Sequence, residues 1–211
     1  MPFSTYIRVE MMQTIEAVEQ LESLYGEAST KSMTKVAFHL TPLYKTWIET
    51  ARFTVLSTVG SDGTDASPRG DSGPVVKVID DKTIWLPDWK GNNRLDSLRN
   101  IVTDGRVSMM FMIPGSNNVV RVNGNAVLTA DAQVLTKFAK DTRLPKTVIV
   151  VRVKEVYFQC AKALMRSELW ASASPVQGIP SAGEFLREME PGFDSDSYDE
   201  GYEDSAKDRM W

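Results

Sequence analysis

The chain has 211 residues, a formal net charge of -4, one histidine and one cysteine. A chain of this length can bury its own hydrophobic core. The single cysteine excludes an internal disulfide, and the single histidine excludes a zinc site built from several histidines. The weakly acidic balance disfavours nucleic-acid binding and suits an enzyme or a small-molecule binding protein. No apolar run is long enough to cross a membrane, so we expect a soluble cytoplasmic protein. Because the sequence has no cluster of histidine ligands, we expect no metal site.

Two helices are predicted at the start of the chain. Thr14 is expected to cap an amphipathic helix that stops at Gly26, because threonine favours helix starts and glycine favours helix ends. Thr41 followed by Pro42 begins a second helix, since proline is favoured in the first helical turn. We interpret both as packing helices within a segment that covers residues 1–51.

From Arg52 onward the apolar residues recur with a period of two, which is typical of strands. The predicted strands follow one another closely, so antiparallel pairing in a small barrel is favoured over alternating strand and helix units. The expected fold is a β-rich α+β domain with flanking helices. The six predicted strands are 53–59, 75–80, 83–86, 107–113, 118–128 and 147–158, with turns at Asp62-Gly63, 80–82 and Pro114-Gly115 and further helices at 94–102 and 161–170.

The end of the chain is strongly acidic. Residues 183–211 carry 10 Asp or Glu against 3 Lys or Arg, which leaves the preceding residues with a net charge of +3. Two interpretations stay open: a solvated, disordered tail, or a segment that docks on the body or on a second subunit through its aromatic and apolar side chains. Within one domain overall, the predicted segments are 1–51, 52–160 for the barrel, 161–182 for a helix and loop, and 183–211 for the tail.

A candidate anion site follows the strand that ends at Leu86. Asn93 and Asp96 have the spacing of a helix-capping box. A helix start offers unpaired N-H groups and the positive end of the helix dipole, and Lys90 and Arg94 add positive charge, so this segment can cradle a phosphate. An ordinary capped helix flanked by solvated cations explains the same residues equally well.

Two further polar features lie in or beside predicted strands. The segment 67–71 contains Ser67 and Arg69, which can offer a hydroxyl and a bidentate guanidinium to a phosphate, although a surface turn has the same composition. Arg121 interrupts an apolar strand, which indicates a pocket, an interface or a solvent-facing position.

The last predicted helix carries a third feature. Lys162, Arg166 and Trp170 have i, i+4 and i+8 spacing, so two cations and an indole would share one stripe. That stripe would suit an anionic aromatic ligand, or its cations would offset the helix dipole. Cys160 and His39 are both interpreted as structural residues.

Several of these motifs together resemble the pyridoxamine 5'-phosphate oxidase-like FMN-binding split-barrel family, and within it the bacterial flavin-nucleotide-binding subgroup. The similarity extends over nearly the whole chain, from the Leu-Thr-Pro of 40–42 to Trp170 and the tyrosine-bearing tail. The motifs that carry it, in matching order and spacing, are Ala-Ser-Pro-Arg-Gly-Asp at 66–71, Thr-Ile-Trp-Leu-Pro-Asp at 83–88, Gly-Asn-Asn-Arg-Leu-Asp-Ser-Leu-Arg-Asn-Ile at 91–101, and Ile-Pro-Gly at 113–115 with Val-Val-Arg-Val-Asn-Gly at 119–124.

The resemblance implies a six-stranded antiparallel split barrel and a homodimer that binds FMN at its subunit interfaces. Residues expected to hold the phosphate and ribityl chain, or to run along the ring, are Ser67, Arg69, Trp85, Leu86, Pro87, Lys90, Asn92, Asn93 and Arg94. Residues expected from the other subunit or on the substrate side are Arg121, Lys162, Arg166 and Trp170.

The activity that the resemblance implies is FMN-dependent oxidoreduction of a small-molecule substrate or electron donor, with no nucleic acid or membrane partner. The chain departs from authentic pyridoxamine phosphate oxidases, because no histidine follows His39 to form their C-terminal Arg-x-His element; oxidation of vitamin B6 is therefore not expected. The alternatives are a flavin store, carrier or sensor without turnover, a barrel that holds a deazaflavin or haem, and a cofactor-free interaction barrel.

Overall fold

The computed structural model describes residues 12–171 and 178–207. The chain divides into two compact units, with the boundary between Lys35 and Val36. In its described part, the first unit contains two short helices, α1 (Val18–Tyr25) and α2 (Thr30–Thr34).

The first predicted helix is present but begins later than the sequence indicated. Its end at Gly26 is confirmed, and there φ is +70°, which glycine adopts readily. The predicted cap at Thr14 is wrong, because the helix begins at Val18 behind Ala17. The Thr14 hydroxyl donates instead to the Glu16 carboxylate at 3.2 Å.

The second unit is built on a single sheet. Its first helix, α3 (Pro42–Thr50), begins behind Thr41 as predicted. The other elements are the strands β1 (Phe53–Gly60), β2 (Gly63–Gly70), β3 (Lys77–Asp80), β4 (Thr83–Asp88), β5 (Arg106–Met112), β6 (Val119–Thr129) and β7 (Thr147–Gln159), and the helices α4 (Asp96–Thr103), α5 (Ala132–Leu135), α6 (Lys162–Ser167), α7 (Ala182–Met189) and α8 (Ser195–Lys207).

The sheet is open and antiparallel, with seven strands in the order β2-β1-β5-β6-β7-β4-β3. A bulge between Asn123 and Gly124 shifts the register of the long pair β6 and β7, and bulges of this kind bend a strand. The predicted β-rich α+β class is confirmed, but the prediction of six strands is one short.

The strand that the sequence did not reveal is β2. The turn before it lies at Ser61-Asp62, one residue earlier than the predicted Asp62-Gly63, since Gly60 pairs with Gly63. Every second residue of β2 is half-buried, but those positions hold Asp65, Ser67 and Arg69 rather than apolar residues. Pro68 further lowers the strand propensity, and it is tolerated because β2 is an edge strand.

The core lies on the inner face of the sheet. Alternate residues of β1, β5, β6 and β7 are fully buried there, as the period of two predicted. Ile48 of α3 and Ile101 of α4 belong to the same cluster. Burial of each such side chain contributes about 1.5–3 kcal/mol to folding.

Two helices differ from their predicted bounds. α4 begins at Asp96 rather than 94, and α6 ends at Ser167 rather than 170, since Glu168 adopts a left-handed conformation with φ of +50°. The described part of the acidic segment forms α7 and α8. Within residues 12–171 and 178–207, no helix combines the length and apolarity that a membrane span requires.

Candidate functional site

A cavity of about 680 Å³, the large cavity, lies at the open edge of the sheet, where β2, the end of β4 and the start of α4 meet. Such a volume is typical of small-molecule sites. Most of the residues that line it are polar or charged, and the lining residues are Asp65, Ser67, Arg69, Asp88, Trp89, Gly91, Asn92, Asn93, Arg94, Leu95, Asp96, Ser97, Leu98, Lys146 and Thr147.

An ion pair between Arg69 and Asp88 crosses the opening of the sheet. Arg69 lies on the edge strand β2, and Asp88 ends β4 near the opposite edge. An Arg69 Nη1 donates to Asp88 Oδ1, and both side chains are largely shielded from solvent, with exposed fractions of 22% and 12%. The pair therefore fixes the guanidinium at the cavity wall and leaves further N-H donors for a ligand.

Two serines extend this hydrogen-bonded network along the cavity wall. Arg69 Nε donates to Ser67 Oγ at 3.1 Å. Ser67 Oγ lies 3.2 Å from Ser97 Oγ, and Ser97 Oγ donates to Asp65. Because Ser97 lies in the first turn of α4, the network joins this helix to the edge strand. The result is a pre-ordered row of hydroxyl and guanidinium groups.

The loop before α4 makes a sharp turn around Arg94. Asn93 and Leu95 both have positive φ, of 61° and 63°, and the Arg94 N-H donates to Asn92 Oδ1 at 3.0 Å. The predicted capping of the helix by Asn93 is wrong, since Leu95 occupies the N-cap position without a side-chain cap. Asp96 instead pairs with Arg94, with Nε to Oδ2 at 2.9 Å.

The Thr147 hydroxyl belongs to the polar part of the cavity lining. The Thr147 hydroxyl oxygen is buried and unpartnered among the described residues. Thr147 pairs with Asp88 across β7 and β4, so its hydroxyl lies beside the ion pair. A buried hydroxyl without a partner is unfavourable, and a polar ligand in the cavity would satisfy it.

The residues predicted to run along the flavin ring, Trp85, Leu86 and Pro87, do not all lie on the same face of β4. Leu86 is 1% exposed and belongs to the hydrophobic core. Trp85 is half-buried, and its ring lies 6.5 Å from that of Phe138. Pro87 and Lys90, together with Arg69 and Trp89, line a smaller cavity of about 270 Å³ that is also lined by Leu86.

Arg121 lies on the opposite face of the sheet from the large cavity. Its cross-strand neighbours are Met110 and Tyr157, and Val55 continues the row. The Arg121 guanidinium lies 5.3 Å from the centre of the Tyr157 ring, and its Nε is buried with no hydrogen-bond partner among the described residues. Arg121 is therefore held on the outer face with one donor unsatisfied.

The predicted stripe of Lys162, Arg166 and Trp170 does not form on one helix. α6 ends at Ser167, so Trp170 lies beyond it. The indole Nε1 donates to the backbone oxygen of Ser116 at 2.7 Å, which attaches this segment to the loop between β5 and β6. Lys162 and Arg166 are exposed on α6.

A second cavity of about 500 Å³ is lined by lysines and aromatic rings. Lys77 Nζ lies 5.1 Å from the centre of the Phe138 ring, and Lys140 Nζ lies 5.1 Å from that of Trp89. Lys140 also pairs with Asp71 at 2.6 Å. Trp89 lines this cavity as well as the large one, so the two are neighbours.

Sequence reasoning missed several residues of the large cavity, among them Asp65, Asp88, Ser97 and Thr147. Asp88 and Ser97 do lie in the motifs at 83–88 and 91–101, but the partners are distant along the chain: Arg69 and Asp88 are separated by 19 positions. For Asp65 the signal was polar residues at the inward positions of β2, visible only once β2 is recognised as a strand.

Comparison with known proteins gives weak likenesses to solved structures. HupZ from Group A Streptococcus is 20% identical, over 55% of this chain and 90% of that one, with a TM-score of 0.46. General stress protein 26 from Bacillus anthracis is 17% identical, over 54% of this chain and 88% of that one, with a TM-score of 0.42. An FMN-binding protein from Syntrophomonas wolfei is 14% identical, over 68% of this chain and 97% of that one, with a TM-score of 0.43. Among curated proteins, none matches this sequence.

The family is established from the sequence itself. The family model described as pyridoxamine 5'-phosphate oxidase matches residues 40–160, which is more than half of the chain. The match runs from the residues before α3 to the end of β7 and so contains all seven strands and the lining of the large cavity. The chain belongs to the pyridoxamine 5'-phosphate oxidase family.

Proposed function

We propose that this protein is an FMN-binding flavoprotein that holds the flavin phosphate in the large cavity at the open edge of the sheet. The observation that carries the proposal is the Arg69 network, a guanidinium with two serine hydroxyls at the wall of a cavity of about 680 Å³. Membership of the family and the FMN-binding protein from Syntrophomonas wolfei among the similar structures agree with this cofactor.

The cavity residues offer hydrogen-bond donors to a phosphate, while the charges of the lining balance, with three cations against the carboxylates of Asp65, Asp88 and Asp96. Arg69 uses Nε and one Nη for Ser67 and Asp88, so its remaining N-H groups are available to an anion. Arg94 uses Nε for Asp96 and keeps its terminal N-H groups. Lys146 adds a third cation, and the unpartnered hydroxyl of Thr147 adds a donor.

A bound flavin would supply hydride or single-electron transfer. The chain's own part is to anchor the phosphate, orient the ring and admit a second reactant. Asn92, Asn93 and Lys90 lie in the loop beside the phosphate end, while Trp85, Leu86 and Pro87 follow β4 away from it. The neighbouring lysine-lined cavity, which shares Trp89, is suited to an anionic small-molecule substrate.

The proposal includes a homodimer with the flavin at the subunit interface. Val55, Met110 and Arg121 lie side by side on the outer face of the sheet, and Met110 is 38% exposed. The orphaned Nε of Arg121 on this face would be satisfied by a second subunit or by its flavin. Lys162, Arg166 and Trp170 are proposed to come from the other subunit or to line the substrate side.

Purification of the untagged protein tests the cofactor first. The expected result is a yellow protein with a flavin absorption spectrum, from which mass spectrometry identifies FMN. A deazaflavin or haem in that fraction would replace the proposed cofactor, and a colourless protein that ignores added FMN would overturn flavin binding.

Two arginine variants test the site. Replacing Arg69 and Arg94 together with alanine should abolish FMN retention while the circular dichroism spectrum stays unchanged. Arg106→Ala is the matched control, because Arg106 also pairs with a nearby carboxylate, Asp104, but lies away from the cavity. Unchanged FMN affinity of the double variant would remove both arginines from the phosphate site.

Turnover is tested separately on the FMN-loaded protein. We expect NADH or NADPH to bleach the flavin absorbance without oxygen, with recovery when an acceptor is added. Retained colour with every reductant tried would identify a flavin carrier or sensor, and flavin binding itself would still stand.

A further inference from the structure

The C-terminal helices form a structured unit that flavin binding does not explain. We call residues 181–207, which contain α7 and α8, the acidic hairpin. Ser181 and Glu184 make a capping box at the start of α7. Asp199 of α8 accepts hydrogen bonds from the Ser181 hydroxyl and, at 2.9 Å, from the Gly183 N-H. The carboxylate of one helix thus caps the other, which fixes their relative orientation.

Close packing also holds the two helices together. A Cβ atom at Gly183 would lie 2.5 Å from the backbone oxygen of Ser195, so only glycine allows this approach. The rings of Phe193, Tyr198 and Tyr202 follow one another at centroid distances of 5.5 and 5.8 Å. The acidic hairpin is therefore an ordered element, and the prediction of a wholly disordered tail does not describe it.

The acidic hairpin leaves apolar side chains exposed. Phe185 and Met189 are one helical turn apart on α7 and are 57% and 83% exposed. Leu186 beside them is 39% exposed, and Tyr202 of α8 is 49% exposed. Exposed apolar residues at helical spacing form a stripe that a partner surface can cover.

Charge identifies which surface would cover that stripe. Residues 181–207 contain 9 Asp or Glu and 2 Lys or Arg, a net charge of -7. Residues 36–171, which carry the sheet, contain 18 Lys or Arg and 13 Asp or Glu, a net charge of +5. Residues 12–35 have a net charge of -2, so they are not oppositely charged to the acidic hairpin. The basic sheet-bearing body is the complementary surface within this protein.

We propose that the acidic hairpin of one chain docks on the sheet-bearing body, residues 36–171, of a second copy. The single chain leaves Phe185 and Met189 exposed, so its own body does not cover them. A second copy presents another basic body, and in a twofold dimer the acidic hairpin of each chain docks on the body of the other. The proposal adds an interface to the proposed homodimer and does not depend on bound flavin.

Photo-crosslinking of the full-length protein tests this docking. A photoreactive phenylalanine analogue at Met189 should join two chains, and mass spectrometry should map the crosslink to residues 36–171 of the second chain. The same analogue at Glu188, the preceding residue of α7, is the control and should crosslink at least fivefold less. High salt should reduce the Met189 crosslink, because screening weakens attraction between opposite charges.

Crosslinks confined to one chain, or directed to residues 12–35 of the second, would overturn the proposal. Sedimentation provides an independent readout: Phe185→Ser with Met189→Ser should weaken dimerisation at least tenfold, whereas Leu24→Ser, at a residue 69% exposed on α1, should not. A dimer of unchanged affinity that binds FMN would refute the docking and leave the proposed function intact. Docking in a protein that binds no flavin would support the docking and overturn the proposed function.

Discussion

The centre of the sheet and its open edge differ in the side chains that their inward positions carry. At the centre, Val122, Phe111 and Val151 are completely buried, and strand pairing is continuous. At the edge, the inward positions of β2 hold polar side chains that bond to one another and to Asp88. The centre is stabilised by burial of apolar surface, whereas the edge is stabilised by paired polar groups around a cavity.

We therefore expect the centre of the sheet to determine folding stability and the edge to determine ligand binding. Substitutions at the centre should act on folding, because close-packed interiors tolerate little change in volume. Substitutions at the edge should act on ligand binding and only moderately on folding. The predictions below test that division, from the largest effect on stability to the smallest.

Gly124→Ala should have the largest effect, at the bulge between β6 and β7. A Cβ atom there would lie 2.2 Å from the backbone oxygen of Arg152, so the paired strands would have to separate. We expect a loss of about 3 kcal/mol of unfolding free energy, measured by urea denaturation. Gly73→Ala, where no atom lies within 4 Å of the added methyl, should leave stability nearly unchanged. Equal stability of both variants would contradict the close packing assigned to the centre.

Asp88→Ala should have an intermediate effect at the edge. It leaves the shielded Arg69 guanidinium without its carboxylate partner, and we expect a loss of about 2 kcal/mol in thermal or urea unfolding. Asp96→Ala breaks the more exposed pair with Arg94 and should lower stability by no more than about 0.5 kcal/mol. Losses of the same size would mean that burial does not distinguish the two pairs.

Ser97→Ala should have a smaller effect on stability and a clear effect on binding. Ser97 is 3% exposed, and its hydroxyl joins Asp65 to Ser67. Removing it should lower the unfolding free energy by about 1 kcal/mol and weaken FMN binding, measured by quenching of flavin fluorescence. Ser116→Ala, in the loop between β5 and β6, is a serine control away from the cavity. Full FMN affinity of Ser97→Ala would exclude Ser97 from the site.

The smallest effect concerns acid sensitivity at the surface turn between β3 and β4. The backbone N-H of Lys82 and then the Thr83 side chain hold the pKa of Asp80 below its ordinary value of 3.8. A lowered pKa in the folded state means that Asp80 contributes stability above pH 3.8 and loses it as the pH falls through the folded pKa. Asp80→Asn should therefore flatten the decline of the melting temperature at acid pH. An unchanged decline would refute this contribution.

The centre of the sheet could be predicted from the sequence, and the edge could not. The buried positions of β5, β6 and β7 are mostly apolar, so the existence of these strands follows from periodicity. In β1 the buried positions include Thr54 and Thr58, and the order of the strands was not predicted. β2 reads Gly-Thr-Asp-Ala-Ser-Pro-Arg-Gly and lacks that alternation, because its inward side chains face a polar cavity rather than the core. The missing seventh strand and the missed Asp65 thus have one physical cause, whereas Asp88, Ser97 and Thr147 lie on other elements and meet β2 only in the folded chain.

Helix ends show the same limit. The start of α3 was predictable, since Pro42 follows Thr41 and tertiary packing agrees with the local signal. The start of α4 was not, because Asn93 and Leu95 adopt left-handed conformations that move the helix start to Asp96. Arg69 and Arg94 were nevertheless identified from sequence, and both line the large cavity.

Titration of flavin-free protein with FMN and with riboflavin, which lacks the phosphate, tests the central claim most directly. If Arg69 and Arg94 hold the phosphate at the open edge, FMN should bind at least tenfold more tightly than riboflavin. The double arginine-to-alanine variant should then bind both flavins with the same weak affinity. Equal affinity of the unaltered protein for FMN and riboflavin would contradict a phosphate site in this cavity.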